Sequence, residues 1–242
     1  MELNILHLYP DLMNLYGEYA NISVLRRHLE AMDVTVTVQS ATVGDAPDFS
    51  GADIIYMGAG TERSQKAVLQ DLTGRKAALQ SAIEAGAVVL FTGSAMETLG
   101  QSVTDAKGKV WQGLGLASFT TVETEKRSPV DVIARPNLWE SGTVGFMNKC
   151  STTSGVTTPL FPSLALGFGN DTEGGAEGYV SGNVFATHIT GPVLVKNPDF
   201  TDLLIRRIFA QKGWELPEEL PTLPYEREAY AVTLKELMGR LR

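Results

Sequence analysis

The segment "VVLFTGSAMETLG" (Val88 to Gly100) is an apolar strand that turns tightly into a helix. Enzymes of the α/β class that act by nucleophilic attack set the reactive side chain at such a turn. The apex here reads Gly93-Ser94-Ala95. Ser94 carries a hydroxyl that could attack. It also opens an S-x-x-E pattern ending at Glu97, the signature of a capping box at a helix start. Two further side chains could do chemistry. Cys150 is the one cysteine of the chain, a nucleophile if ionised and otherwise a small hydrophobe. His188, in "VFATHI", is a candidate base, or a strand histidine whose nitrogens are satisfied by neighbours. One cysteine and three histidines far apart give no disulfide and no metal-ligand spacing, and nothing signals a cofactor.

The elements that must hold these residues follow from periodicity. "LNILHLY" (Leu3 to Tyr9), "VTVTVQ" (Val34 to Gln39), "DIIYM" (Asp53 to Met57) and Val88 to Phe91 read as strands. Between them, Ile22, Leu25, Leu29 and Met32 share one helical face, and a helical region runs from Glu62 to Ala85 with a break at Thr73-Gly74. This alternation predicts a parallel sheet covered on both faces. Beyond Gly100, "FTTVET", "VDVIA" and "TVGFMN" read as shorter strands of a mixed or antiparallel extension. A glycine-rich stretch, "GFGNDTEGGAEGYVSGN", precedes the strand Val184 to Ile189. Asn197-Pro198 opens a helix with Phe200, Leu204, Ile205 and Ile208 inward. "LPEELPTLP" reads as a linker before a final amphipathic helix carrying Tyr230, Leu234, Leu237, Met238 and Leu241.

In open parallel sheets ligands bind beyond the carboxyl ends of the strands. Gly58-Ala59-Gly60 and Gly93-Ser94-Ala95 stand at two such ends. Their glycines either bring backbone N–H groups close to a ligand oxygen or simply make tight turns. The 242 residues, 43% hydrophobic, suffice for one large α/β core, and the net charge of −8 argues against nucleic acid or an anionic membrane as partner. No apolar run nears the roughly 20 residues of a membrane span. With no leader pattern at the start, the expected location is the cytoplasm.

With these segments in order, the chain resembles the class I glutamine amidotransferases of the cobyric acid synthase (CobB/CobQ) type, and among them the GatD-like glutaminase subunits of lipid II isoglutaminyl synthase. The blocks that carry the resemblance are "LYPDLMNLYGEYANISVLRRHLE", "YMGAGTERSQKAVLQDL", "GLGLASFTTVETEKR", "TVGFMNKCSTTSG" and "GNDTEGGAEGYVSGNVFATHITGPVLVKNPDF". The resemblance implies a three-layer flavodoxin-like α/β fold with a central, mostly parallel sheet over residues 1–215. Residues 216–242 would then form a Pro-rich linker and a C-terminal helix.

The family's nucleophile lies in a pattern like C-G-G-[FY]-Q-x-L-G. Laying Leu99-Gly100 on its end puts Glu97 on the glutamine, Gly93 on the cysteine and Ser94 on the first glycine. The general base lies in a pattern like T-Y-x-H-G-P-x-L-x-K-N-P, which puts Thr190 on the histidine and His188 on the tyrosine, with Lys196-Asn197-Pro198 in register. His188 and Thr190 fall on the same face of the expected strand but roughly 6 to 7 Å apart, so His188 is not an obvious substitute for the missing base. Arg127 matches an arginine implied to hold the substrate's α-carboxylate, as a bidentate guanidinium can. Gly58, Ala59 and Gly60 match the oxyanion loop. The family's "GFENHGGRT"-like segment has become Gly145 to Thr153, with its acidic, histidine and arginine positions changed.

The implied reading is a glutaminase subunit without its nucleophile and base, a non-hydrolytic partner of a Mur-ligase-like ATP-dependent subunit in cell-wall precursor modification. Glutamine or a related carboxylate is the implied ligand. Two alternatives stay open: a free-standing amino-acid-binding module, and an active enzyme that uses Ser94, Cys150 or His188.

Overall fold

The computed structural model describes residues 1–172 and 175–241. Of the glycine-rich stretch, residues 173 and 174 lie outside the described residues. The chain opens with β1 (Glu2–Leu8), a one-turn 3-10 helix (Leu15–Gly17), α1 (Tyr19–Glu30) and β2 (Thr35–Ala41). There follow β3 (Ile54–Met57), α2 (Glu62–Thr73), α3 (Lys76–Glu84), β4 (Val88–Thr92) and the single turn α4 (Ala95–Thr98). A second group comprises β5 (Ser102–Thr104), β6 (Val110–Gln112), β7 (Thr120–Arg135), β8 (Thr143–Ser154) and β9 (Ser163–Leu166). The chain then returns through β10 (Tyr179–Ser181) and β11 (Val184–Thr187) and ends in α5 (Val193–Lys196), α6 (Pro198–Lys212) and α7 (Glu226–Met238).

The main sheet has the order β10-β11-β4-β3-β1-β2. All its pairings are parallel except β10 with β11. The parallel part, β2-β1-β3-β4-β11, repeats the 2-1-3-4-5 order of flavodoxin-like folds, as the resemblance implies. Every residue of β3, β4 and β11 is buried, so these strands read as continuous apolar runs rather than alternations. The period of two still sorts their side chains. Val88 and Leu90 join Leu25, Leu29, Phe200, Leu204 and Ile208 on one face, and Val89 and Phe91 join Val68, Leu69, Leu72 and Leu79 on the other.

The second sheet, β6-β5-β7-β8 with β9 against β7, is mixed, because β5 runs parallel to β7. Here the sequence pattern and the structure part company. Phe119 to Thr124 and Val130 to Ala134 read as two separate strands, yet all of these residues but Phe119 lie in one strand, β7, of 16 residues. Its pairing with β8 passes from Glu123↔Ser151 to Ser128↔Lys149, so residues 124–127 stand opposite Cys150 alone. The polar "TEKR" is a bulge within a ladder, which a hydrophobicity pattern reads as a loop. β8 likewise continues past the expected Asn148 to Ser154, through largely polar residues of which Lys149, Ser151 and Thr153 are buried.

Residues 214–225 carry no helix or strand. α7 then lays Tyr230, Leu234 and Leu237 on Ile133 and Val144 of the second sheet. Its N-terminal half is tied to α6 by Arg227, which reaches Asp199 at 2.8 Å and Asp202 at 3.0 Å. Among the described residues no helix is long and apolar enough to cross a membrane.

Candidate functional site

The carboxyl ends of β1, β3, β4 and β11 converge beside β7 and β8 of the second sheet and enclose a cavity of about 260 Å³. Each end contributes: Tyr16 after β1, Ala59 to Glu62 after β3, Gly93, Ser94 and Glu97 after β4, and His188 and Thr190 after β11. The second sheet adds Glu123, Arg127 and the stretch Asn148 to Ser151. Of the residues expected from the sequence, all but Gly58 line this cavity. Gly58 sits behind it, where a Cβ would lie 2.6 Å from the Met13 carbonyl oxygen and 2.8 Å from Glu18 Cβ. Its lack of a side chain serves the packing of the loop after β1.

The apex of the turn after β4 is closed by three contacts. Gly93 has φ +59°, the left-handed conformation that suits glycine, and a Cβ on it would lie 2.5 Å from Ala59 Cβ. The room for a side chain at position 93 is therefore filled by the methyl group of Ala59. Ser94 makes the other two contacts. Its Oγ accepts from the Gly60 N–H at 3.0 Å and donates to the Gly60 carbonyl at 3.0 Å. The expected capping box is not formed, because Ser94 makes no side-chain cap bond to α4 and its backbone is helical, with φ −65° and ψ −13°. A cap residue needs extended backbone to turn its oxygen onto the helix N–H groups, and Ser94 is already inside the turn. With its proton on Gly60 O, Ser94 has no base bonded to it.

Thr190 is held by a carboxylate that the sequence reading passed over. Its hydroxyl donates to Glu18, which is fully buried. Glu18 also accepts from Thr92 Oγ1, Tyr56 OH at 2.8 Å, Gly191 N at 2.7 Å and Asn21 Nδ2 at 3.4 Å. Five donors satisfy this buried carboxyl group. They tie the residue before the apex, Thr92, to the residue expected at the base position. The only signal for Glu18 in the sequence is its place in the loop after β1.

His188 lies one residue past the end of β11, so it and Thr190 are not on a common strand face. Its surroundings match the reading of a satisfied histidine. Nδ1 is 3.1 Å from Glu177 Oε1, which also accepts from the His188 N–H at 2.7 Å, and Nε2 is 3.4 Å from Thr153 Oγ1. Nε2 also stands 3.7 Å from Glu97 Oε1. Glu97, itself buried, accepts from Gln65 Nε2 at 2.6 Å and from the Ser151 hydroxyl.

Arg127 rises from the β7 bulge into the cavity, but its guanidinium is already engaged. Nη1 donates to the Asn148 carbonyl at 2.7 Å and Nη2 to the carboxylate of Glu62. Burial alone would raise the Glu62 carboxyl, yet its own N–H and Arg127 outweigh that and hold it below the usual range. Burial likewise opposes the charge on Arg127, and Glu62 more than restores it. A ligand carboxylate reaching Arg127 must displace Glu62. Cys150 lies beside this pair, with Sγ 3.4 Å from Glu62 Oε1. Burial first, and then the Glu62 charge, push its thiol up to about 11, which keeps it protonated at neutral pH. Lys149 is buried and donates to the Asn170 carbonyl at 2.8 Å, and burial draws its ammonium down against the opposing pull of Glu97 and Glu177.

The comparisons with known proteins converge on this arrangement. Among solved structures the fold is similar to PurLQS from Thermotoga maritima, with TM-score 0.56 and 13% identity, covering 87% of this chain and 99% of that one. It is also similar to a glutamine amidotransferase with TM-score 0.53 and 11% identity, covering 86% and 98%. Sequence relatives include the GatD subunit of the glutamine-hydrolyzing lipid II isoglutaminyl synthase of Staphylococcus aureus (strain N315), 30% identical over 95% of this chain and 93% of the relative. The GatD subunit of Streptococcus pneumoniae (strain ATCC BAA-255 / R6) is 31% identical over 87% and 82%. The model of the CobB/CobQ-like glutamine amidotransferase domain matches residues 4–198, a span that runs from β1 to the start of α6 and includes every residue lining the cavity. With its flavodoxin-like sheet, its turn after β4 and this match over most of its length, the chain belongs to the CobB/CobQ-like glutamine amidotransferase family.

Proposed function

We propose that this chain is a GatD-like subunit of a cell-wall precursor amidation system that does not hydrolyse glutamine. It acts as the non-hydrolytic partner of a Mur-ligase-like ATP-dependent subunit. The observation that carries this reading is the interlock of Ala59, Gly93 and Ser94. Glutamine hydrolysis needs a nucleophile at the apex and a backbone donor for the oxyanion. Here the nucleophile's room holds the Ala59 methyl, and the Gly60 N–H is bonded to Ser94 Oγ. Replacements for the missing nucleophile find little support: Ser94 donates to a carbonyl, and Cys150 is a protonated thiol paired with Glu62. The test is co-expression with a Mur-ligase-like protein encoded nearby. The two should co-purify, the complex should survive Arg127→Ala, and neither form should release ammonia from glutamine.

A second reading, a free-standing amino-acid-binding module, is favoured by one observation: the enclosed cavity and its Arg127–Glu62 pair persist although the apex is closed. Recovery of no ligase, together with a ligand-dependent rise in melting temperature that Arg127→Ala removes, would replace the first reading with this one.

A further inference from the structure

The guanidinium of Arg127 is held by two partners of unequal mobility. Nη1 donates at 2.7 Å to the carbonyl of Asn148, a backbone group of β8 whose residue is paired with Pro129 of β7 and cannot leave without breaking the ladder. Nη2 is held by a side chain, the carboxylate of Glu62, and the side chains of Arg127 and Glu62 are 40% and 39% exposed. Glu62 therefore sets on this guanidinium the same chemical group that a ligand carboxylate would bring. It is the first residue of α2, and it lines two hollows: the cavity itself and a neighbouring groove that it shares with Arg63 and Lys66. Lys66 stands one turn further along α2, at the spacing where Glu and Lys side chains meet, although it already pairs with Glu123. The Glu62 side chain thus has a second place to go. One polar atom of the same cluster lacks a partner. Asn148 donates through Nδ2 to Tyr16 OH at 2.9 Å, while its Oδ1 is buried and unbonded, and a donor group on a bound ligand would satisfy it.

We propose that Glu62 is a built-in competitor for Arg127: in the free chain its carboxylate fills the place of a ligand carboxylate, and a carboxylate ligand binds by driving it off the guanidinium toward the groove beside Lys66. This rests on the reading of Arg127 as a carboxylate holder and is independent of the loss of hydrolysis. The strength of the pair suits such a role. An ion pair with both side chains well over a third exposed is weak, so the competitor lowers the affinity of a carboxylate by only about three- to fivefold and a ligand can displace it. A buried pair could not be opened so cheaply, because the group left behind would be stranded without a partner.

The test is calorimetric titration of the full chain with L-glutamine, L-glutamate and L-glutamine α-amide, in low-salt buffer free of other carboxylates and of phosphate. The same titrations are run on Glu62→Ala, Glu62→Gln, Arg127→Ala and the double variant Glu62→Ala with Arg127→Ala. Glutamine and glutamate should bind about three- to fivefold more tightly to Glu62→Ala than to the unmodified chain. Glu62→Gln keeps the shape and removes the charge, so it should show a gain in the same direction, and either variant serves if the other does not fold. The gain should vanish in the double variant, and the α-amide, which has no carboxylate, should show none. If the pair only braces the β7 bulge against α2, removing Glu62 leaves binding unchanged or weakens it, and the proposal falls. It falls equally if the gain survives Arg127→Ala, if the α-amide gains as much as glutamine, or if none of the proteins binds any of the three compounds. Ammonia release from glutamine by any of them would defeat the proposed function and leave this inference to be judged on the affinities.

Discussion

A Cβ on residue 93 would lie 2.5 Å from the methyl carbon of Ala59, so the glycine at the apex and the alanine in the neighbouring loop occupy one another's space. The two positions are coupled across adjacent strands, β4 and β3. The first prediction is that Gly93→Cys alone destabilises the fold by about 2–4 kcal/mol, through overpacking and a left-handed backbone on a residue with a Cβ. Ala59→Gly should return part of that loss by removing the clash but not the backbone strain. A double-mutant cycle in urea measures the coupling, and additive effects of the two substitutions would refute it.

Restoring hydrolysis should take more than the two missing catalytic side chains, since members of a catalytic unit are strongly non-additive. Gly93→Cys with Thr190→His leaves Ala59 in the way and Ser94 on the oxyanion donor. Only the fourfold variant that adds Ala59→Gly and Ser94→Gly is expected to release ammonia measurably. In it, Glu18 stands where Thr190 now donates and can orient the new imidazole. Turnover by the twofold variant would show that the interlock does not matter.

Cys150 should react slowly with iodoacetamide at pH 8 and faster as pH approaches its thiol value of about 11. Glu62→Gln removes the neighbouring charge that helps to hold the thiol protonated and should raise the rate at pH 8 severalfold. Rapid alkylation of the unmodified chain at pH 7 would contradict this account of the thiol.

His7 is buried against Tyr56 with its Nε2 unbonded, and burial lowers its imidazole to about 4. Between the ordinary value of 6.5 and about 4, the unfolded chain takes up a proton that the folded chain refuses. Stability from this group is thus complete above pH 6.5 and falls as pH drops through that window. His7→Gln should remove up to about 3 kcal/mol of the acid-induced loss between pH 6.5 and 4. Denaturation midpoints at the two pH values, for both proteins, give the comparison.

The parallel core was legible in the sequence because strands buried on both faces read as apolar runs, and "DIIYM" and "VVLF" sit close to where they are expected. So was the turn after β4 and the absence of a side chain at its apex. The bulge that delivers Arg127 was not, since "TEKR" is charged and its pairing is set by β8 rather than by its own residues. Nor was the link between Ala59 and Gly93, or that between Thr190 and Glu18. Those contacts join residues 34 and 172 positions apart, and only the pairing of the strands into the sheet brings them together. The Ser94-to-Glu97 pattern misled for a local reason: the turn puts Ser94 in helical backbone, and its hydroxyl meets Gly60 before it can reach the helix.

The most direct test of the central claim is ammonia release from glutamine in a coupled glutamate dehydrogenase assay, run on the chain alone and on its complex with any Mur-ligase-like protein that co-purifies with it. The expected result is no release above the rate without protein in either state, and the same for Ser94→Ala and Cys150→Ala. Sustained ammonia production by the chain or its complex, persisting through repeated purification, would contradict the claim that the apex has lost glutaminase chemistry.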